Sequence, residues 1–171
     1  MFIFLILLMS SGGVFARMAC PQVDASRNVY PAYAMADAIV AFEASSDPDN
    51  PVNLVLYRGA GDCSRTVIDT YPVEGSAPRI ASVFPYTLKG KPSLFVIVTW
   101  KINSRGLGTY GTLYQVYAYE KDGAGGLASN RLIAATDQMT GIEGMADGES
   151  SHFGGKTAAE VKKRIDLLHF K

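Results

Sequence analysis

Histidine, cysteine and tryptophan are nearly missing from this chain, at two, two and one in 171 residues, and each scarcity closes off chemistry. With His152 and His169 alone, acid–base or nucleophilic catalysis has few possible players. His169 ends a terminal helical pattern, where the helix dipole or plain solvation accounts for it. His152 has Ser150 and Ser151 beside it, but neighbours in sequence are not a triad. Cys20 and Cys63 lack the C-x-x-C or Cys/His spacing of a metal site. Neither charge is in excess, with 16 basic and 16 acidic residues, which argues against nucleic acid as a partner. The basic run Lys162-Lys163-Arg164 reads as the solvated face of a helix. The glycines from Gly123 to Gly126 lack the Lys-Ser/Thr ending of a phosphate loop and read as a turn. We therefore expect no catalytic residue, no cofactor and no metal site.

Long apolar runs are missing too, with one short exception at the start. Met1 to Met9 (MFIFLILLM) stops well short of the roughly 20 residues needed to cross a bilayer. It gives way to Ser10-Ser11-Gly12-Gly13 and then Val14-Phe15-Ala16, the outline of a secretory signal with its cleavage site. No Lys or Arg precedes the run, so the amino-terminal charge rests on the free amine. The reading is a signal peptide over residues 1–16, cleaved after Ala16, and a periplasmic single domain over 17–171 without a stable membrane span. Lipidation at Cys20 is disfavoured, because Arg17 stands where a lipobox needs an aliphatic residue. In an oxidising compartment Cys20 and Cys63 are expected to form a disulfide that pins the mature amino terminus; two unpaired thiols are the alternative.

What the chain has in quantity is β-forming, aromatic segments separated by turn residues. Ala38 to Ala44 (AIVAFEA) and Val52 to Tyr57 (VNLVLY) flank a Ser/Asp/Pro-rich stretch over 45–51 that no helix crosses, and read as a hairpin. The first of them also fits a helical stripe through Met35, Ile39 and Phe42. Thr66 to Tyr71 is a third strand. Arg79 to Leu88, Pro92 to Ile102 and Thr109 to Glu120 form a β-meander, whose middle member is apolar on both faces at Leu94 to Val98 and so is central. Leu132 to Ala135 reads as one more strand, and Asp137 to Gly155 as a long polar loop. Thr157-Ala158-Ala159-Glu160 is a capping box opening a helix with Val161, Ile165 and Leu168 on one face. The fold class is mainly β, a twisted antiparallel meander with a C-terminal α-helix.

Functional surface is then sought in loops and aromatics. Asn103, Ser104, Arg105 and Leu107, flowing through Gly108 into Thr109 and Tyr110, combine hydroxyls, an Arg and an exposed-type Leu between two strong strands. That composition suits a partner-binding loop, with Arg and Tyr as anchors; a solvated connection is the plain alternative. A second candidate is the stretch from Met145 to Gly155, where packing of Phe153 beneath the loop is the favoured account.

The segment Phe84 to Val98 resembles in outline the repeat of some β-propeller blades, although its turn, Leu88-Lys89-Gly90-Lys91-Pro92, puts lysines where a calcium-binding version needs acids. In size, disulfide, twisted antiparallel strands and want of a catalytic constellation, the chain resembles the periplasmic immunity proteins that protect bacteria from type VI secreted amidases. The resemblance implies a protein partner, a secreted peptidoglycan-cleaving amidase, whose active-site groove is blocked by an inserted loop, with Ser104 or Thr109 as the hydroxyl that contacts its catalytic groups. The competing reading is an envelope protein that stacks glycan or peptidoglycan on Trp100 and the tyrosines. A degenerate hydrolase would need His152 in a buried pair with a carboxylate.

Overall fold

A computed structural model describes residues 19–59 and 63–168. The signal peptide read over 1–16 and the terminal His169 lie outside these residues. Within them the chain is mainly β, in two antiparallel sheets, with a short C-terminal helix.

The first sheet runs in chain order: β1 (Val29–Pro31), β2 (Ala38–Ala44), β3 (Val52–Arg58) and β4 (Ser64–Tyr71). Ala38 to Ala44 is thus a strand, paired with β3 from Ala38 opposite Arg58 to Ala44 opposite Val52. The helical stripe through Met35 loses because Val40, Phe42, Leu54 and Leu56 together present one apolar face for the second sheet to cover. That second sheet has β5 (Arg79–Leu88), β6 (Lys91–Ser104) and β7 (Thr109–Lys121) as its meander, followed by β8 (Leu127–Ser129), β9 (Thr140–Ala146) and β10 (Glu149–Ser151). Its order is β10-β9-β7-β6-β5, with β8 beside the far end of β7. The link between β5 and β6 is a two-residue turn in which Lys89 and Gly90 both take positive φ, 50° and 75°, the hand that matches strand twist. Pro85 costs no ladder bond inside the sheet because β5 is an edge.

Two expectations are corrected. Leu132 to Ala135 is not a strand: Arg131–Ala134 forms a one-turn helix, α1, because the Asn130 side chain accepts from the amides of Leu132 and Ile133 and caps it. Nor is 137–155 a long loop, since it holds a 3-10 turn at Asp137–Met139 and then β9 and β10. Its glycines are what admit the strand. Gly111 on β7 and Gly144 on β9 face each other with φ near 142° and 144°, so close that a Cβ on either would lie within 2.4 Å of the opposite carbonyl oxygen.

β6 carries the core on both faces, as its two-sided apolar run requires. Leu94, Val96, Val98 and Trp100 point at the four-stranded sheet, while Phe95 and Ile97 point the other way. The inter-sheet layer is sealed by polar groups that satisfy one another. The Tyr71 and Tyr119 hydroxyls are 2.8 Å apart, Tyr119 donates to Asp69 at 2.7 Å, and Trp100 donates to the Pro72 carbonyl at 2.8 Å. Burial drives the Tyr71 and Tyr119 phenols far above their ordinary range, and the Tyr117 phenol is pushed up to about 12.

The outer face of the six-stranded sheet is covered by α2 (Ala158–Leu168), which buries Val161 and Ile165 against Phe84, Phe95 and Val116. Its capping box is made: Glu160 accepts from the Thr157 amide at 3.0 Å, and the Glu160 amide donates to Thr157 Oγ1 at 3.3 Å. Tyr86 donates to Asp166, tying the helix to β5. The run 162–164 is not simply solvated. Lys162 lies over Phe84 and Tyr86, and Arg164 lies over Phe153 while donating to the Gln138 carbonyl. Against the outer face of the four-stranded sheet, Cys20 and Cys63 form the expected disulfide, beside a small cluster of Val29, Ala41, Val55 and Tyr57.

Candidate functional site

The two longest strands, β6 and β7, pair without interruption from Ser93 opposite Glu120 to Ser104 opposite Thr109. The pairing carries them to a tip formed by a 3-10 turn at Arg105–Leu107, closed by Gly108 in the left-handed region at φ 70°. The stretch 103–108 is therefore shorter as a loop than its composition suggested. Asn103 and Ser104 are the last residues of β6, Thr109 and Tyr110 the first of β7, and Arg105 and Leu107 alone of the six candidates sit in the turn.

This tip is exposed and braced. Every residue over 103–107 is exposed, and Leu107 keeps 78% of its surface, the largest value among the exposed apolar side chains. Arg105 stacks over the Tyr110 ring at 4.6 Å, which holds two of the candidate anchors as one unit. The turn between β9 and β10 supports the tip from the side. The Gly148 amide donates to the Gly108 carbonyl at 3.0 Å, and the Asp147 amide donates to Thr109 Oγ1 at 3.1 Å. The Thr109 hydroxyl thus serves the fold, leaving Ser104 as the candidate whose side chain is not used in capping. Sequence alone did not show this bracing, because β9 and β10 were hidden in a glycine-rich stretch.

A second cluster joins β9 to the segment that follows β10. Glu143 on β9 accepts from the Phe153 amide at 3.0 Å, from Lys156 Nζ at 3.1 Å, and is 3.2 Å from His152 Nδ1. The Phe153 amide, Lys156 and His152, in that order, hold its carboxyl down at about 2. The same partnership raises the Lys156 ammonium. His152 itself is 82% exposed, and among the described residues its ring bonds to no hydroxyl or thiol. This is a solvent-facing ion-pair cluster that anchors the segment leading into α2, not a buried His–carboxylate pair beside a nucleophile. Phe153 is buried and stacks on Tyr114, with Gly141 and Gly155 against its ring, so it packs beneath its segment as expected.

Of the aromatics named for glycan stacking, Trp100 and three of the nine tyrosines are inside, and the other six tyrosines are half-buried or exposed. Trp100 is buried with its indole nitrogen committed to Pro72, and Tyr57, Tyr71 and Tyr119 are buried as well. No helix among the described residues is long and apolar enough to cross a membrane.

Compared with known protein families, with curated proteins and with solved structures, the chain finds no match in any of the three.

Proposed function

We propose that this chain is an exported binding protein of the inhibitor type, which engages a protein partner through the tip of the β6–β7 hairpin. By the resemblance to periplasmic immunity proteins, the partner is a secreted peptidoglycan-cleaving amidase whose groove the tip enters. One observation carries the reading: the longest ladder among the described residues ends in a braced tip that presents Leu107 to solvent beside a stacked Arg105–Tyr110 pair. An apolar side chain held out on a rigid support loses little conformational entropy on docking, and Arg and Tyr are the residue types that most often dominate interface energy. The disulfide supports export, since such bonds persist in oxidising compartments.

The test is a pull-down of oxidised residues 17–171 from envelope and secreted fractions, followed by an assay of peptidoglycan cleavage by the captured protein. A stoichiometric hydrolase whose activity falls on adding the chain, and recovers when Leu107→Asp and Arg105→Ala are introduced together, is the expected result. Each single change should weaken binding at least tenfold, on the order of 2 kcal/mol for a hot-spot anchor. Inhibition undiminished by the double variant would remove the tip from the interface.

A further inference from the structure

The helix side of the six-stranded sheet changes character partway along its strands. Where α2 covers it, the facing residues are Phe84, Phe95, Ile97, Val116 and Ala118. Farther toward the hairpin tip, the same face continues through Thr99 and Lys101 on β6 and Tyr114 and Thr112 on β7, with no helix above. Together with Arg79 on β5 and Lys156 before α2, these residues line an open cleft of about 300 Å³.

Arg79 reaches this face because of an irregularity. Strict alternation would place Arg79 and Ser82 on opposite faces, but β5 bulges between Ile80 and Ser82, so that Arg79 pairs opposite Thr99 while Ser82 pairs opposite Ile97. The bulge re-aims the guanidinium onto the cleft side of the sheet. Lys101 is oriented as well, its ammonium donating to Thr112 Oγ1 at 2.8 Å and keeping two further N–H donors.

The charge in the cleft is one-sided. Arg79 and Lys101 come from the neighbouring strands β5 and β6 and Lys156 from the segment before α2, and no carboxylate joins them in the lining. Glu143, which pairs opposite Thr112 on this face, is already engaged by Lys156, His152 and the Phe153 amide. Arg79 and Lys101 have no carboxylate partner among the described residues. In a chain of formal net charge zero this is a local positive field in a concavity, floored by the central strands and edged with threonine and tyrosine hydroxyls.

We propose that this cleft binds a carboxylate of an acidic peptide segment, with Arg79 and Lys101 as the charge partners and Tyr114 as a flanking hydroxyl; the Thr99 hydroxyl is spent on the Arg79 carbonyl and positions that strand edge. The guanidinium fork suits a planar carboxylate in two-point contact, and the lysine adds a point charge from the neighbouring strand. The inference is independent of the hairpin reading. If the tip also engages a partner, the cleft lies about 13 Å back along β6, at ~3.3 Å per residue from Arg105 to Lys101.

Small probes separate the two ideas, because they cannot report on the tip. The oxidised protein is titrated, with backbone amide NMR as the readout, using N-acetylalanine for a chain-terminal carboxylate and N-acetylglutamate α-amide for a side-chain carboxylate. N-acetylalanine amide and inorganic phosphate serve as comparisons. Saturable shifts at Thr99, Lys101 and Thr112 are expected with one or both carboxylates, at millimolar affinity and weakening with added salt. The carboxylate that binds more tightly identifies the source. Arg79→Ala and Lys101→Ala should each weaken binding at least fivefold, whereas Lys89→Ala, in the β5–β6 turn, should leave it unchanged. Both mutated side chains are exposed, and an undisturbed spectrum outside the cleft confirms folding. Absence of saturable shifts with either carboxylate overturns the proposal. So does equal response to the neutral amide, tighter binding of phosphate than of both carboxylates, or affinity unchanged in the Arg79→Ala/Lys101→Ala double variant.

Discussion

Glu143 illustrates how a residue unremarkable in the sequence becomes a junction in the fold. Its carboxylate gathers the Phe153 amide, Lys156 and His152, so it ties β9 to the segment that leads into α2. Because its pKa is held at about 2, below the ordinary 4.5, the folded state binds a proton at Glu143 less readily than the unfolded chain does. The stabilisation is therefore complete above about 4.5 and disappears as pH falls through about 2. Replacing Glu143 with Gln should lower the melting temperature at neutral pH, and thermal scans of the two proteins should converge as pH is brought down to about 2. An offset that persists at the acid end would assign the effect to shape rather than charge. Nothing in the sequence marked this residue: the partners are 9 to 13 positions away, and only the return of the chain across β9 and β10 brings them together. His152, by contrast, was conspicuous by rarity, and the structure gives it a surface contact with the Glu143 carboxylate.

Elements whose residues alternate strongly were legible, and those built on glycine were not. The β5–β6–β7 meander with β6 at its centre and the capped α2 follow from local pattern, since each carries its own burial signal in side chains, whereas β2 also fitted a helical stripe and only its pairing with β3 decides for strand. β9 carries its signal in their absence. Gly141 makes room for the Phe153 ring, and Gly144 lets the backbone approach Gly111, so a strand reads as a loop when only apolar alternation is counted. The α1 turn was misread because a short apolar run, Leu132 to Ala135, fits a buried strand or a helix alike, and a single Asn130 cap decides for helix. Changing Gly144 to Ala should then separate β9 from β7, because the new Cβ would meet the Tyr110 carbonyl oxygen at 2.4 Å with φ at 144°. A loss of roughly 1–3 kcal/mol is expected from the backbone conformation alone, read by urea unfolding. Hydrogen exchange should quicken along Thr140–Ala146 and spare the β5–β6 ladder. Uniform loosening of both sheets would mean that the glycine contact is not local to β9.

Across the whole molecule, the layers are unequally secured. The six-stranded sheet is packed on both faces, by the other sheet and by α2, whereas the outer face of the four-stranded sheet rests under a small cluster and the Cys20–Cys63 bond. Two-sided packing gives β6 and β7 a rigid base from which to carry the hairpin tip, and that base does not depend on the disulfide. The amino-terminal segment does. Its tie spans 43 positions in sequence, and closing a loop of that length restricts the unfolded chain by about 4 kcal/mol on the chain-entropy account. Replacing both cysteines with serine should cost roughly 2–4 kcal/mol in urea unfolding. Exchange protection should fall first in β1 and along the β1–β2 ladder, while β6 and β7 keep theirs. If the tip is the binding element, the serine variant should retain affinity for its partner while it remains folded, so stability and binding would part company. Loss of binding at full β6–β7 protection would instead place the interaction on the disulfide-bearing face and withdraw it from the hairpin.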